Sequence, residues 1–174
     1  MGEQRICTVK GAPVTLAGQE LKTGERAPSF RVVSNDLTSS VIEFSGGITV
    51  IASVPSLDTP VCDLEIKRFH KEALALSDSV RVIFISMDLP FAQKRFCDDF
   101  QIKRVSTYSD HRDADFGVKY GVLINELRLL SRAVFVVDDA GSIGYVEYVP
   151  ELTSHPDYDS AISAVKSALE EGRR

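Results

Sequence analysis

The sequence predicts an α/β fold with a central mixed sheet flanked by helices. Two runs, 48–54 and 80–86, are rich in β-branched residues and lack polar alternation, which is typical of strands buried on both faces. Each run precedes a helical pattern, so we expect the two strands to be parallel neighbours. Two later runs, 133–137 and 143–149, flank the turn residues 138–142 and predict an antiparallel hairpin.

Apolar spacing and capping residues predict the helices. Pro60 suits a first helical turn, with Asp58 or Thr59 as cap, and the helix is expected to run to about residue 76. Its apolar stripe, with spacings of three and four, is Cys62, Ile66, Phe69, Ala73 and Leu76. The other expected elements are an N-terminal hairpin over 6–16, strands at 30–33, 41–44 and 104–108, a helix capped by Asp88-Leu89-Pro90, a short helix over 112–119 and a final helix capped by Asp157. This order matches a thioredoxin-like fold in a single domain, 1–174, with residues 1–18 as an N-terminal hairpin extension.

Composition narrows the class of partner and the compartment. The chain carries 20 Lys+Arg against 25 Asp+Glu, a net charge of −5, without a basic run, which argues against nucleic acid or an anionic membrane as partner. Its three cysteines cannot all pair within one chain, which fits a reducing compartment. The apolar runs are too short to cross a bilayer or to act as a signal peptide, so the expected location is cytoplasmic.

Cys62 falls in the first turn of a helix that follows a buried strand. The N–H groups and partial positive charge at such a position favour a thiolate. A thiol of pKa about 8.5 is about 3% ionised at pH 7, and raising that fraction to about 90% requires a pKa lower by about 2.5, or about 3.4 kcal/mol. A packed core cysteine is the competing interpretation, because free cysteine is among the most buried residue types.

Four separated segments carry a resemblance to a known family. The segment 53–62, SVPSLDTPVC, closely resembles the active-site segment of the peroxiredoxins, in particular the thiol peroxidases of the atypical two-cysteine type. The resemblance continues in 88–97 (DLPFAQKRFC), 131–138 (SRAVFVVD) and 156–158 (PDY). The N-terminal hairpin also fits, so the similarity covers essentially the whole chain.

The resemblance implies a role for each of five residues. Cys62 matches the peroxidatic cysteine, whose thiolate attacks a hydroperoxide and becomes a sulfenic acid. Thr59 matches the residue that hydrogen-bonds the thiolate and the peroxide, and Pro55 matches the shielding proline. Arg132 matches the guanidinium that stabilises the thiolate and holds peroxide oxygen. Cys97 matches the resolving cysteine, which closes an intramolecular disulfide with Cys62.

The resemblance further implies a peroxidase that uses no cofactor and no metal. Its substrates would be alkyl or lipid hydroperoxides and hydrogen peroxide, its reductant thioredoxin, and its assembly a homodimer. Because a disulfide requires Cα atoms within about 7 Å, we expect one or both cysteine-bearing helices to unwind when it forms. Cys7 departs from the family pattern and is expected to be a bystander thiol.

Three other interpretations start from the same residues. Cys62 and Arg68 have the spacing of a phosphotyrosine-type phosphatase, but the residues between them include two carboxylates and no glycine. A Cys-His hydrolase would need His70, His111 or His155 beside Cys62, and no Cys or His pair has metal-ligand spacing. A non-enzymatic thioredoxin-like binding module with inert cysteines remains the main alternative.

Overall fold

The computed structural model describes residues 3–174, arranged around two sheets. The strands are β1 (Ile6–Val9), β2 (Ala12–Ala17), β3 (Phe30–Val33), β4 (Ser39–Ile42), β5 (Ile48–Ser53), β6 (Val80–Ser86), β7 (Val105–Ser109), β8 (Leu123–Ile124), β9 (Ala133–Val137) and β10 (Ile143–Tyr148). The helices are α1 (Pro60–Ala75), α2 (Pro90–Asp99), α3 (Asp115–Lys119) and α4 (Tyr158–Gly172). Across residues 3–174, no helix combines the length and apolarity that a bilayer crossing requires.

The larger sheet has seven strands in the order β10-β9-β5-β6-β7-β3-β4. The strands β5, β6 and β7 are parallel neighbours, whereas β9 runs antiparallel to β5 and β3 antiparallel to β7. This arrangement confirms the predicted central mixed sheet and the pairing of 48–54 with 80–86. Because the carboxyl ends of β5 and β6 meet at one edge, the loops that lead into α1 and α2 lie together there.

Two apolar clusters cover the two faces of this sheet. One cluster includes Phe84 of β6, Ile66 of α1 and Val165 of α4, and Cys62 is part of it. The other cluster lies on the opposite face of the sheet and includes Ile83 of β6 and Phe116 of α3. Side chains of this size contribute about 1.5–3 kcal/mol each when fully buried. The Cys62 thiol is therefore embedded between a helix and the sheet.

The N-terminal hairpin forms a smaller sheet of its own, in the order β1-β2-β8. Its two-residue turn, Lys10-Gly11, has φ values of +49° and +81°, which suit a type I′ turn and match the twist of the two strands. The predicted hairpin is confirmed. The strand β8 was not predicted, because two residues that pair with Leu16 and Ala17 leave no pattern of their own.

The boundaries of the two best-capped helices agree with the sequence. Thr59 caps α1, and its hydroxyl accepts a hydrogen bond from the backbone N–H of Cys62. Asp157 caps α4 in the same way, accepting from the N–H of Ser160 at 3.0 Å. Along α1 the expected stripe is buried at Cys62, Ile66, Phe69 and Ala73, and Leu76 is partly buried.

Two predicted boundaries were wrong. The strand expected at 41–44 lies at Ser39–Ile42, because a tight turn with Leu37 at φ +71° sets the register of its pairing with β3. The helix expected over 112–119 begins only at Asp115, since Ala114 adopts a left-handed conformation at φ +50° and interrupts it. Neither conformation is favoured by the side chain concerned, so the sequence carried no signal for it.

The segment Asp88-Leu89-Pro90 begins α2 as predicted, but no side chain of the segment caps the helix. The N-cap of α2 is Leu89, which makes no side-chain capping bond. The Asp88 carboxylate instead accepts hydrogen bonds from Ser56 Oγ at 2.7 Å and from the N–H of Leu57 at 2.8 Å. Asp88 thereby joins the loop before α1 to the start of α2.

Candidate active site

Cys62 is the third residue of α1 and has no exposed surface. Its backbone N–H points to Thr59 Oγ1 at 3.4 Å, and the Thr59 hydroxyl donates to the carbonyl of Ser56 at 3.3 Å. The preceding loop contains Pro55, which is buried where β5 ends. The sulfur is thus held at a helix N-terminus from which bulk water is excluded, a setting that strengthens any charge interaction made there.

Arg132 provides that charge interaction. The residue directly precedes β9, is 1% exposed, and points its Nη2 at Cys62 Sγ over 3.2 Å. Burial works against its charged form, but attraction from Glu65 and Cys62 outweighs burial and raises the pKa of Arg132. The structure therefore brings together Cys62 and Arg132, two residues that are 70 positions apart in the sequence.

Glu65 completes the buried charge cluster and was missed by the sequence analysis. Its carboxylate accepts a hydrogen bond from Arg132 Nη1, and both side chains are almost fully buried. Burial raises the pKa of Glu65 to about 7, although attraction to Arg132 opposes the rise. Glu65 lies three residues after Cys62, on the same helix face. A carboxylate next to the apolar stripe of a helix was the available signal.

The carbonyl of Leu152 holds the other side of the guanidinium. It accepts hydrogen bonds from Arg132 Nε at 3.2 Å and from Nη2 at 3.0 Å. The Arg132 donors therefore reach a thiol, a carboxylate and a carbonyl at once, and a planar fork satisfies such a set in one orientation. The position of Leu152 is decided by chain folding far from the motifs, so no sequence signal pointed to it.

Cys97 lies on α2 and is partly buried at the margin of the cluster that contains Cys62. Its sulfur contacts Thr107 Oγ1 at 3.6 Å. Burial raises the pKa of the Cys97 thiol, and the hydrogen bond from Thr107 opposes that effect. Cys7, Cys62 and Cys97 are all free thiols in this structure. The structure thus places Cys97 on a separate regular helix, turned toward β7.

Cys7 lies on β1, away from the other two cysteines in the fold. It is 5% exposed and packs with Leu16, Ile124 and Leu152. Burial raises the pKa of the Cys7 thiol. These surroundings are those of a small apolar core residue.

The residues with phosphatase-like spacing, Cys62 and Arg68, do not form a phosphate-binding site. Arg68 points away from Cys62 and pairs with Glu72 at 3.0 Å and Asp159 at 3.3 Å. The carboxylate of Glu65 pairs with Arg132, the guanidinium that contacts the sulfur, and so already balances the positive charge that a phosphate dianion would need. The arrangement around Cys62 therefore opposes a doubly charged anion.

The three histidines make contacts elsewhere. His70 Nδ1 accepts from the N–H of Arg104 at 3.3 Å, His111 Nδ1 contacts Ser109 Oγ at 2.8 Å, and His155 Nδ1 contacts the Tyr158 hydroxyl at 2.8 Å. Within the described part of the chain, no three His, Cys, Asp or Glu side chains are grouped as a metal site requires. The structure accordingly offers no histidine base for a Cys-His hydrolase.

A groove of about 210 Å³ lies between the loop before α1 and the outer side of α2. It is lined on the loop side by residues 56–58 and on the helix side by Arg95, Phe96 and Phe100, among others. The Lys67 ammonium of α1 lies over the Phe100 ring at 3.8 Å. The groove therefore lies between the loop that leads into the helix of Cys62 and the helix that carries Cys97.

Known proteins resemble this chain over most of its length. The Redoxin family model matches residues 22–162. The thiol peroxidase of Oceanobacillus iheyensis is 55% identical over 157 residues, covering 90% of this chain and 95% of the relative. The thiol peroxidase of Bacillus subtilis is 51% identical over 163 residues, covering 93% of this chain and 97% of the relative.

Solved structures extend the likeness to the fold. The crystal structure of a peroxiredoxin-like protein from Aquifex aeolicus has a TM-score of 0.88 and 47% identity, covering 96% of this chain and 99% of that one. A thiol peroxidase from Chromobacterium violaceum has a TM-score of 0.82 at 24% identity, covering 98% of each chain, and shows the shared thioredoxin-like fold. The match to the family model and the identities near 50% show that the chain belongs to the redoxin family, among its peroxiredoxin-type thiol peroxidases.

Proposed function

We propose that Cys62 is the peroxidatic cysteine of this thiol-dependent peroxidase and that Arg132 stabilises its thiolate. The observation that carries the proposal is the contact of 3.2 Å between Arg132 Nη2 and Cys62 Sγ, made by two buried side chains. A charge-assisted hydrogen bond in a dry site is stronger than the same bond in water. Cys62 is therefore prepared as a nucleophile, in contrast to the buried, unpaired Cys7.

The first step oxidises Cys62. The thiolate attacks the terminal oxygen of the hydroperoxide, an S–O bond forms, the O–O bond breaks, and the departing oxygen takes a proton to leave as an alcohol or water. Negative charge develops on that oxygen, and Arg132 is the donor placed to stabilise it. Thr59 supports the same step by turning its hydroxyl from the Ser56 carbonyl toward the peroxide, while Pro55 keeps water from the sulfur.

The second step resolves the sulfenic acid. The Cys97 thiolate attacks the Cys62 sulfur, a disulfide forms, and the sulfenic oxygen leaves as water. Cys97 lies on a regular helix and contacts Thr107, so α2 unwinds at least locally for this attack. The substrates of the proposed cycle are alkyl or lipid hydroperoxides and hydrogen peroxide. Thioredoxin then reduces the disulfide, and we infer a homodimer acting in the cytoplasm.

Peroxide consumption with thioredoxin, measured on three cysteine variants, tests these assignments. We expect Cys62→Ser to abolish turnover, because the nucleophile is lost. Cys97→Ser should reduce one equivalent of peroxide and then stop, since no disulfide forms for thioredoxin to reduce. Cys7→Ser is the matched control and should cycle nearly as fast as the unmodified protein.

Two outcomes would contradict the proposal. Full thioredoxin-linked cycling by Cys97→Ser would reject its resolving role. An unchanged α2 in matched crystal structures of the reduced and oxidised protein would reject the unwinding step.

A further inference from the structure

The N-terminal hairpin, residues 6–17, contacts the chain segment that holds Arg132. The backbone N–H of Thr8 donates to the carbonyl of Pro150 at 2.8 Å, and the N–H of Leu152 donates to the carbonyl of Thr8 at 2.8 Å. The carbonyl of Leu152 in turn accepts the hydrogen bonds from Arg132 Nε and Nη2. One residue therefore separates the hairpin from the guanidinium that contacts Cys62.

The side chain of Glu151 fastens the same contact. Its carboxylate accepts from the hydroxyl of Thr8, from the N–H of Lys10 at 2.8 Å and from the N–H of Gly11 at 3.1 Å. The hydrogen bond from Thr8 foremost, followed by one from the Thr153 hydroxyl at 2.8 Å and those from Gly11 and Lys10, lowers the pKa of Glu151 to about 2. The carboxylate is thus ionised, and the attachment complete, throughout the pH range in which thiols are titrated.

The apolar side of Leu152 is fixed by the hairpin as well. Its side chain is 7% exposed and packs with Cys7 and Leu16 of the hairpin and with Ile124 of β8. The hairpin therefore holds Leu152 through the backbone on one side and through a buried apolar cluster on the other. Because close packing transmits small displacements, loss of the contact between Thr8 and the segment 150–152 is expected to move the Leu152 carbonyl.

We propose that the hairpin is a positioning element of the active site, acting through Glu151 and Thr8 on Leu152 and hence on Arg132. The inference rests on the role proposed for Arg132 and extends it to a part of the chain outside the residues described around Cys62. Without the attachment the Leu152 carbonyl moves, and the guanidinium loses the partner that aims Nη2 at Cys62.

Glu126 offers a matched control on the other side of the same hairpin. Its carboxylate accepts from the N–H of Thr15 at 2.9 Å and from the Thr15 hydroxyl at 2.7 Å. Glu126 and Glu151 are thus both glutamates that fasten the hairpin through a threonine. Glu126 makes its contacts from the turn after β8 rather than from the segment 150–152.

The test compares Glu151→Ala with Glu126→Ala in a Cys97→Ser background. The readouts are the rate of a single turnover with hydrogen peroxide and the pH profile of Cys62 alkylation. We expect Glu151→Ala to slow the peroxide reaction about tenfold, since misplacing a reacting group by 1 Å costs up to about 100-fold. Its alkylation profile should move to higher pH. Glu126→Ala should stay within about twofold on both readouts, because it leaves the contacts of Thr8 and Glu151 that hold the segment 150–152 in place.

Thr8→Val is a milder variant that removes one hydroxyl of the attachment and is expected to shift both readouts in the same direction, by less. The proposal is overturned if Glu151→Ala and Thr8→Val react like the unmodified protein, or if Glu126→Ala loses as much activity as Glu151→Ala. Arg132→Met in the same assay separates this result from the proposed function. An unchanged Cys62 in Arg132→Met would reject the role of Arg132 itself, whatever Glu151→Ala does.

Discussion

Replacing Arg132 by methionine separates its chemical role from its structural one. Arg132→Met removes the donor to Cys62 Sγ and leaves the buried carboxylate of Glu65 without its cation. Loss of one preorganised donor to a developing oxyanion costs about 100- to 1000-fold in rate, or about 2.7–4 kcal/mol. Breaking a buried ion pair by removing one partner costs about 3–5 kcal/mol of folding stability. The single variant is therefore expected to lose both reactivity and stability.

The double variant Arg132→Met with Glu65→Leu distinguishes the two losses. Replacing both members of a buried pair by apolar residues is often close to neutral for stability. We expect the double variant to recover most of the unfolding free energy in urea at pH 8, where Glu65 is ionised in the unmodified protein. It should not recover the single-turnover rate with peroxide in the Cys97→Ser background. Recovery of that rate together with stability would show that Arg132 acts only as a structural partner, and would refute the reasoning.

Two further predictions concern Glu65 and Asp88. The folded-state pKa of Glu65, about 7, lies above that of a free carboxyl, so its contribution to stability is present at low pH and is lost as pH rises through 7. In urea titrations from pH 5 to 8, the unfolding free energy of the unmodified protein should fall with pH by at most about 1.4 kcal/mol per pH unit on account of Glu65, and Glu65→Gln should reduce this fall. An equal dependence of unfolding free energy on pH in both proteins would contradict the prediction. Asp88→Ala removes the acceptor of the Leu57 N–H and of the Ser56 hydroxyl. Amide exchange at Leu57 should accelerate, with Asp36→Ala as an exposed control, and an unchanged Leu57 exchange rate would show that the loop holds its shape without Asp88.

The sheet and its long helices could be predicted because each leaves a local pattern. The runs of β5 and β6 are apolar throughout, and α1 combines a cap at Thr59, Pro60 at its start and an apolar stripe. The strand β8 could not be predicted, since it exists only through its pairing with β2. The contacts of Asp88 could not be predicted for a related reason. Its carboxylate accepts a hydrogen bond from the N–H of Leu57, which lies in a loop 31 residues earlier in the chain.

The same distinction between local patterns and distant contacts applies to the residues of the site. Residues within a family motif, Cys62 and Arg132 above all, could be proposed for the site from the resemblance, and the structure brings these two into contact. The contacts that orient Arg132 were not predicted, since one comes from a carbonyl, which every residue possesses, and the other from Glu65, which belongs to no motif quoted for the family. A buried carboxylate at pKa about 7 is unfavourable for folding at neutral pH. Its presence beside Cys62 therefore indicates that the position is occupied for the sake of the guanidinium and not for the stability of α1.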